Sequence, residues 1–334
     1  LRTLGLDGRF SFIDSPNSRA LRILWQQSVM PWHIRRSRVD AHWGCGFVLP
    51  LPSRCPMVVT IYDLTFQLFP AVHEPIKRYY FPVMIAAAVR KARRIIAISA
   101  ATEEDLHRLL PASRNKTVVT LLAPRNFPGD ENGAPREDGL PEAYILCIGT
   151  LEPRKNLGRL FEAWLGIDEA DRRGVKLVVV GERGWMMDEV LSAYDHVEAS
   201  MVFTGFVDDA ALNRLLQGAL ALAYPSLYEG FGLPVVEAMA QGVPVLTSDV
   251  GATREVAGAG ALLVDPTDVA AIRQGLRRLI EDAGLRERLS CLGRARAAAF
   301  SWECTARETL RTLEEVARNS QQGPSRTGHY RLMC

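Results

Sequence analysis

The sequence predicts an α/β protein of two doubly wound domains, and three observations carry that prediction. The chain has 334 residues, 48% of them hydrophobic. That is length enough for two cores, since a domain usually takes about 100–200 residues. From Met57 onward, short β-branched runs alternate with longer helical patterns, as in a parallel sheet covered on both faces. The alternation breaks once, at residues 124–141, where Pro, Gly, Asn, Asp and Glu accumulate as they do in a connection between domains.

The first domain is expected over residues 1–125. Its strands are predicted at 57–61, 95–98 and 118–121, with helices at 82–91 and 101–110, and Ser99 is placed to cap the second helix. Residues 41–43 are the earliest strand-like stretch. Nothing before Asp40 reads as a strand with a Gly-rich loop behind it, so the expectation is an incomplete first domain in an N-terminally trimmed chain. A connection at 126–141 leads to the second domain, 142–300. Its predicted strands are 144–148, 176–180, 201–204, 220–223, 243–247 and 261–264, with helical segments between them, which completes a doubly wound set. Residues 266–280 and 284–300 read as closing helices. Residues 301–318 read as a last helix returning to the first domain, and 319–334 as a disordered tail.

Composition excludes several classes of function. Forty basic residues against 38 acidic give a net charge of +2, so no global field favours wrapping nucleic acid. No run approaches the roughly 20 apolar residues of a membrane helix, and the first residues lack a signal-peptide pattern. The expected location is the cytoplasm, including the inner face of the cytoplasmic membrane. The six cysteines are scattered, with no Cys-x-x-Cys pair and no histidines at zinc spacing, and are read as reduced thiols holding no metal.

The segment richest in chemistry is YPSLYEGFGLPVVEAMAQ, residues 224–241, which follows an apolar strand. Pro234 suits a first helical turn and Gly242 a position just past a C-cap, so a helix is predicted over 233–241. Its N-terminus would open at the carboxyl edge of the sheet, where α/β folds bind ligands. There the N–H groups of Phe231, Gly232 and Leu233 can receive phosphate oxygens, with glycines at 230 and 232 allowing a close approach. Glu229 and Glu237 flank this nest. Each can accept hydroxyl hydrogen bonds from a sugar, one hexose and one ribose. The alternatives are a capping role for Glu229 and a solvated helix position for Glu237.

After the strand at 144–148 comes Gly149-Thr150-Leu151-Glu152-Pro153-Arg154-Lys155, with two adjacent cations before a helix. A diphosphate leaving group gains charge as the glycosidic bond breaks, so preorganised cations there stabilise the transition state more than the ground state. No Asp-x-Asp triplet is present, and Asp208-Asp209 read as a helix start. For Arg154 and Lys155 the alternative is an ordinary basic loop.

These residues resemble glycosyltransferase family 4, the retaining enzymes of the GT-B architecture, and within it the bacterial mannosyltransferase-like members. The similarity runs from about Leu21 to Leu313. It is strongest in IGTLEPRKNL, FTGFVDDAAL, YPSLYEGFGLPVVEAMAQGVPVLTSD and GALLVDPTD. The resemblance implies two Rossmann-like domains facing across a cleft. It implies transfer of a hexose, mannose from GDP-mannose, to a glycan or lipid-linked acceptor in cell-surface polysaccharide synthesis. It places Glu229 on the transferred hexose, the amides of Gly230 to Leu233 on hexose and phosphate, and Glu237 on the ribose. Arg154 and Lys155, beside Gly149 and Thr150, take the diphosphate, while Val207 and Asp209 hold the base; for Asp209 a helix-start carboxylate is the alternative. In VVTIYDLTFQLFP the family's His-Asp pair becomes Tyr62-Asp63. Asp63 stays a catalytic candidate, but a tyrosine supplies no imidazole chemistry. With Arg154 and Lys155 placed for the leaving group, no metal and no cofactor besides the donor is expected.

Without a carboxylate pair evident on both faces of the anomeric carbon, same-face attack is expected, with a covalent glycosyl-enzyme as the alternative. The basic patches at Arg35, Arg36, Arg38, Arg90, Lys91, Arg93 and Arg94 mark a surface that could meet anionic lipid, or else are solvated helix faces. Two rival readings remain. One is an inactive or truncated nucleotide-sugar-binding module. The other is a sugar-nucleotide epimerase of the same architecture, whose acid/base histidine pattern is not found.

Overall fold

A computed structural model describes residues 15–127, 140–150, 152–181, 200–319 and 332–333. The first half begins with a helix, α1 (Arg19–Arg36), then β1 (Ala41–Gly44), β2 (Met57–Ile61), α2 (Thr65–Leu68) and α3 (Pro75–Lys91). It ends with β3 (Arg94–Ala97), α4 (Ala100–Leu109) and β4 (Thr117–Val119). The four strands lie side by side in sequence order, every neighbouring pair parallel. Alternate residues face opposite sides of the sheet. Met57, Val59, Ile61 and Ile95 pack with Ile85 and Val89 of α3 and Leu106 of α4.

Several expectations shift here. No element is assigned before residue 41 from the sequence, and the structure has α1 there, 18 residues long with Pro31 inside it. Leu21, Leu24 and Trp32 stand exposed on it, so its apolar residues do not trace one buried stripe. The helix expected from 82 begins at Pro75, at a first-turn position where the missing N–H costs nothing, and Pro82 is carried inside it. β3 ends one residue early because Ser99 turns the chain into α4, its side chain accepting from Thr102 N at 3.0 Å.

The second half comprises β5 (Tyr144–Ile148), α5 (Leu157–Leu165), α6 (Glu169–Arg172), β6 (Lys176–Val180) and β7 (Met201–Gly205). Then come α7 (Asp209–Gly218), β8 (Ala221–Tyr224), α8 (Leu233–Ala240), β9 (Val245–Ser248), α9 (Gly251–Ala257) and β10 (Leu262–Val264). Helices α10 (Val269–Glu281) and α11 (Ala283–Ala297) close the unit. The helix expected between β6 and β7 falls at 182–199, outside the described residues, as do residues 128–139 of the expected connection. The strand order is β10-β9-β8-β5-β6-β7, all parallel. One face is packed by Phe161 and Trp164 of α5 with Ile272 and Leu276 of α10. The other is packed by Leu212 and Leu216 of α7 with Val235 and Met239 of α8. Each such side chain contributes about 1.5–3 kcal/mol by burial.

Boundaries move for local reasons. β9 starts at Val245 because Pro244 has no N–H for the ladder. α10 and α11 start where Asp268 and Asp282 accept first-turn amides, rather than at 266 and 284.

The last helix, α12 (Trp302–Arg318), lies on the first sheet, not the second. Leu313, Val316 and Ala317 cover Ala41, Val58 and Ile96, and Glu315 pairs with Arg94. The expected disordered tail needs a correction at its end. Leu332–Met333 forms β11, parallel to β1, because the edge of β1 still offers unpaired main-chain groups.

Candidate active site

In the second sheet, successive strands run outward in one direction from β5 and in the other from β8, so the winding reverses between these two neighbours. Loops leaving their carboxyl ends must diverge to opposite faces, opening a crevice between them. Both sequence-predicted clusters leave from those ends: Gly149 to Lys155 after β5, and Glu229 to Leu233 after β8.

The two loops meet side chain to side chain. Arg154 Nη1 lies 2.7 Å from Glu229 Oε2, and Lys155 Nζ lies 2.8 Å from Glu229 Oε1. Tyr224, the last residue of β8, donates its hydroxyl to the same Oε1 at 2.8 Å. Arg154 is also tied to Glu152 at 2.5 Å and donates to the Tyr228 carbonyl at 2.9 Å. The Lys155 stem passes 3.1 Å from where a Cβ on Gly149 would stand. These cations are not a solvated loop, since their side chains are only 15% and 12% exposed. Burial raises the Glu229 carboxyl, but the charges of Lys155 and Arg154 outweigh it and hold the group down to about 2. Glu229 is therefore an ionised, fixed acceptor rather than a helix cap. Gly232 takes that position, with φ +102, ahead of α8. Phe231 turns its ring into the core against Phe300, so only its main chain faces the crevice.

A second cluster forms around a residue without a predicted role. Arg125, in the connection after β4, directs Nε to Glu237 Oε1 at 2.7 Å, Nη2 to Glu237 Oε2 at 3.2 Å and Nη1 to Asp209 Oδ1 at 2.6 Å. Glu237 is wholly buried in α8, which corrects the solvated-helix alternative. Asp209 is the first residue of α7, whose N-cap is Asp208. Asp209 and Glu237 are thus brought together, and Val207 lies partly buried at the same sheet end.

The first half reaches the site through Tyr62 to Thr65. Asp63 Oδ1 accepts from Thr65 N at 2.9 Å and Thr65 Oγ1 at 2.7 Å, so this carboxylate starts α2. Its Cβ is 3.0 Å from where a Cβ on Gly230 would lie. Tyr62 turns away and donates its hydroxyl to the Cys45 carbonyl at 2.6 Å. The glycine at 230 serves this contact between halves: the Gly230 carbonyl accepts from Ser99 Oγ at 2.7 Å and Thr102 Oγ1 at 3.1 Å. An imidazole does stand near Asp63, but it is His73, stacked 4.2 Å from Phe66, its pKa lowered by burial against the pull of Asp63 and Glu152. Beside Glu229 a pocket of 320 Å³ is lined by Phe69, Glu104, Asp105, Arg108 and Tyr228. Among the described residues no group of His, Cys, Asp and Glu side chains could hold a metal ion.

Sequence reasoning missed Arg125, Tyr224 and His73. The signal for Tyr224 was its position ending an apolar strand just before Glu229. Arg125 and His73 carry no such signal, because their partners lie in distant elements.

Residues 134–296 match the family described as glycosyl transferases group 1. O-antigen chain mannosyltransferase B of Escherichia coli is 32% identical over 288 residues, covering 84% of this chain and 75% of that protein. An MMP alpha-(1->4)-mannosyltransferase of Mycolicibacterium hassiacum is 28% identical over 309 residues, covering 85% and 74%. Among solved structures, sucrose-phosphate synthase from Thermosynechococcus elongatus has a TM-score of 0.71 at 21% identity, covering 93% of this chain and 82% of that one. The Anabaena protein HepE, crystallised with UDP and glucose, has a TM-score of 0.69 at 20% identity, covering 94% and 89%. The fold these structures share is GT-B, with two Rossmann-like units.

Proposed function

This chain belongs to the glycosyl transferases group 1 and is a glycosyltransferase; from that premise we propose that it transfers mannose from GDP-mannose to a glycan or lipid-linked acceptor, retaining the anomeric configuration. The observation that carries the reading is the convergence of Arg154 and Lys155 on Glu229 at the point where the sheet winding reverses. The mannosyltransferase activity of the relatives supports mannose, and the O-antigen relative supports a cell-surface polysaccharide.

In this reading the donor diphosphate lies against Arg154, Lys155 and the amides at the start of α8. In this structure both cations are paired with carboxylates. The arriving diphosphate takes over part of that pairing, and Glu229 turns to accept a hexose hydroxyl. As the glycosidic bond breaks, charge grows on the diphosphate oxygen that the two cations face, so no metal is required. Same-face attack follows, with that oxygen taking the acceptor proton. Asp63, close to Gly230 but engaged by Thr65, bounds the acceptor side.

Among the described residues no helix is long and apolar enough to cross a membrane. We place the protein at the inner face of the cytoplasmic membrane on two exposed apolar sets: Leu21, Leu24 and Trp32 on α1, and Ile76, Tyr79 and Val83 on α3. Basic residues Arg22, Arg36, Lys77 and Arg78 accompany them. Titration calorimetry with GDP, UDP, GDP-mannose and UDP-glucose, then NMR of the product, tests the donor and the retention. Tight binding of UDP alone, or an inverted product, would remove this reading.

A further inference from the structure

Arg125 joins the two carboxylates assigned to the nucleoside. We infer that it is a positioning residue of the donor site, one that fixes Glu237 and Asp209 for the ribose and base. This inference rests on the proposed role of Glu237.

Glu237 and Asp209 belong to different helices, and two carboxylates brought together repel each other unless a cation lies between them. Arg125 supplies it with all three guanidinium nitrogens, as a fork on Glu237 and a single bond to Asp209. Lysine's point charge has no such geometry. Glu237 has no exposed side-chain surface, and among the described residues Arg125 is the cation within ion-pair distance of it. The fork takes one lone-pair site on each Glu237 oxygen. Ribose hydroxyls would take the sites the fork leaves, and since Glu237 has no exposed surface they reach it as the side chains over it shift.

The guanidinium itself is held. It lies 5.4 Å over the Phe127 ring, and the main chain just before it is anchored on α12. There Trp302 Nε1 donates to the Pro124 carbonyl at 2.9 Å and Thr305 Oγ1 to the Leu121 carbonyl at 2.6 Å. The residue connecting the two sheets therefore orients the nucleoside end of the site. Its own side chain, 42% exposed, marks the way in.

Calorimetry with GDP on the full chain separates this role from a purely structural one. The variants are Arg125→Gln, Arg125→Lys, Glu237→Gln and the Arg125→Gln/Glu237→Gln pair, each checked for folding by circular dichroism. Arg125→Gln should weaken GDP binding about tenfold or more, as for lost charge-assisted bonds. Arg125→Lys should recover part of the loss, and the double variant should bind no worse than Glu237→Gln alone. Unchanged affinity in Arg125→Gln, with Glu237→Gln weakened, would overturn the inference and leave the site reading intact. Tighter binding in Arg125→Gln would also overturn it, showing that the guanidinium blocks the nucleoside. Unchanged affinity in Glu237→Gln would instead overturn the site reading and the inference with it. Should Arg125→Gln not fold, Arg125→Lys decides, and wild-type affinity in that variant would overturn the inference.

Discussion

Gly230 meets the main chain of Tyr62 with no room for a side chain: a Cβ on Gly230 would fall 1.8 Å from the Tyr62 carbonyl oxygen. Backbone cannot yield as a flexible side chain can, so this glycine sets how closely the two halves approach at the site. Gly230→Ala should force the halves apart, at a cost of about 1–3 kcal/mol as for an overpacked contact. We expect lower kcat with each half still folded, and a larger radius of gyration by small-angle scattering. Wild-type kinetics in Gly230→Ala would show that the contact is not needed for turnover.

Acid sensitivity should trace to Glu229. Its carboxyl is held at about 2 in the fold against a reference of 4.5, so the folded state favours the ionised form. The resulting stabilisation is fully present above about 4.5 and is lost as pH falls toward 2, on the order of 3 kcal/mol in all. Urea unfolding at pH 6 and pH 3 should show a smaller pH-dependent loss in Glu229→Gln than in the wild type. Equal losses would mean that the ion pairs with Arg154 and Lys155 add nothing to stability.

Arg154→Ala and Lys155→Ala should lower kcat and kcat/KM together, by about a hundredfold each, because in the proposed mechanism the charge they answer develops as the diphosphate leaves. Arg154→Lys should also be poor, since a single ammonium lacks the planar fork that meets Glu229 and the Tyr228 carbonyl from one nitrogen and Glu152 from another. Steady-state kinetics with GDP-mannose decide it. A change confined to KM would limit the pair to uniform binding.

Turnover is expected to survive EDTA, because in the proposed mechanism Arg154 and Lys155 supply the charge a metal otherwise would. Activity that fell with EDTA and returned with Mg²⁺ or Mn²⁺ would contradict that mechanism.

Membrane contact should follow the exposed stripe of α3. Ile76, Tyr79 and Val83 are 80%, 71% and 67% exposed and recur at helical spacing. Changing all three to Ser should reduce cosedimentation with vesicles containing phosphatidylglycerol while leaving GDP binding unaltered. Binding that is unchanged would place any contact elsewhere.

The alternation of β-branched runs and helical patterns made the second sheet legible from the sequence, because a strand buried on both faces must be apolar throughout and a helix over it apolar on one side. Tyr144–Ile148 and Lys176–Val180 fall where the pattern puts them for that reason. Ser99, Asp208 and Pro234 mark their helix starts because capping is settled within a few residues. The loops carrying Arg154, Lys155 and Glu229 were legible too, since each follows directly on a strand end. Helix α1 was not, because Ser18 makes no side-chain cap at its start and Pro31 lies inside it.

Other relationships depended on the tertiary structure alone: Arg125 on Glu237 and Asp209, Tyr62 under Gly230, and Leu332–Met333 beside β1. Each joins groups far apart in the chain whose local pattern does not encode the partner. Local periodicity determined which residues would be strand, helix or loop. The packing of two sheets, where buried charges must find opposite charges and main chains must pass without clash, decided which of those loops met and what each side chain faced.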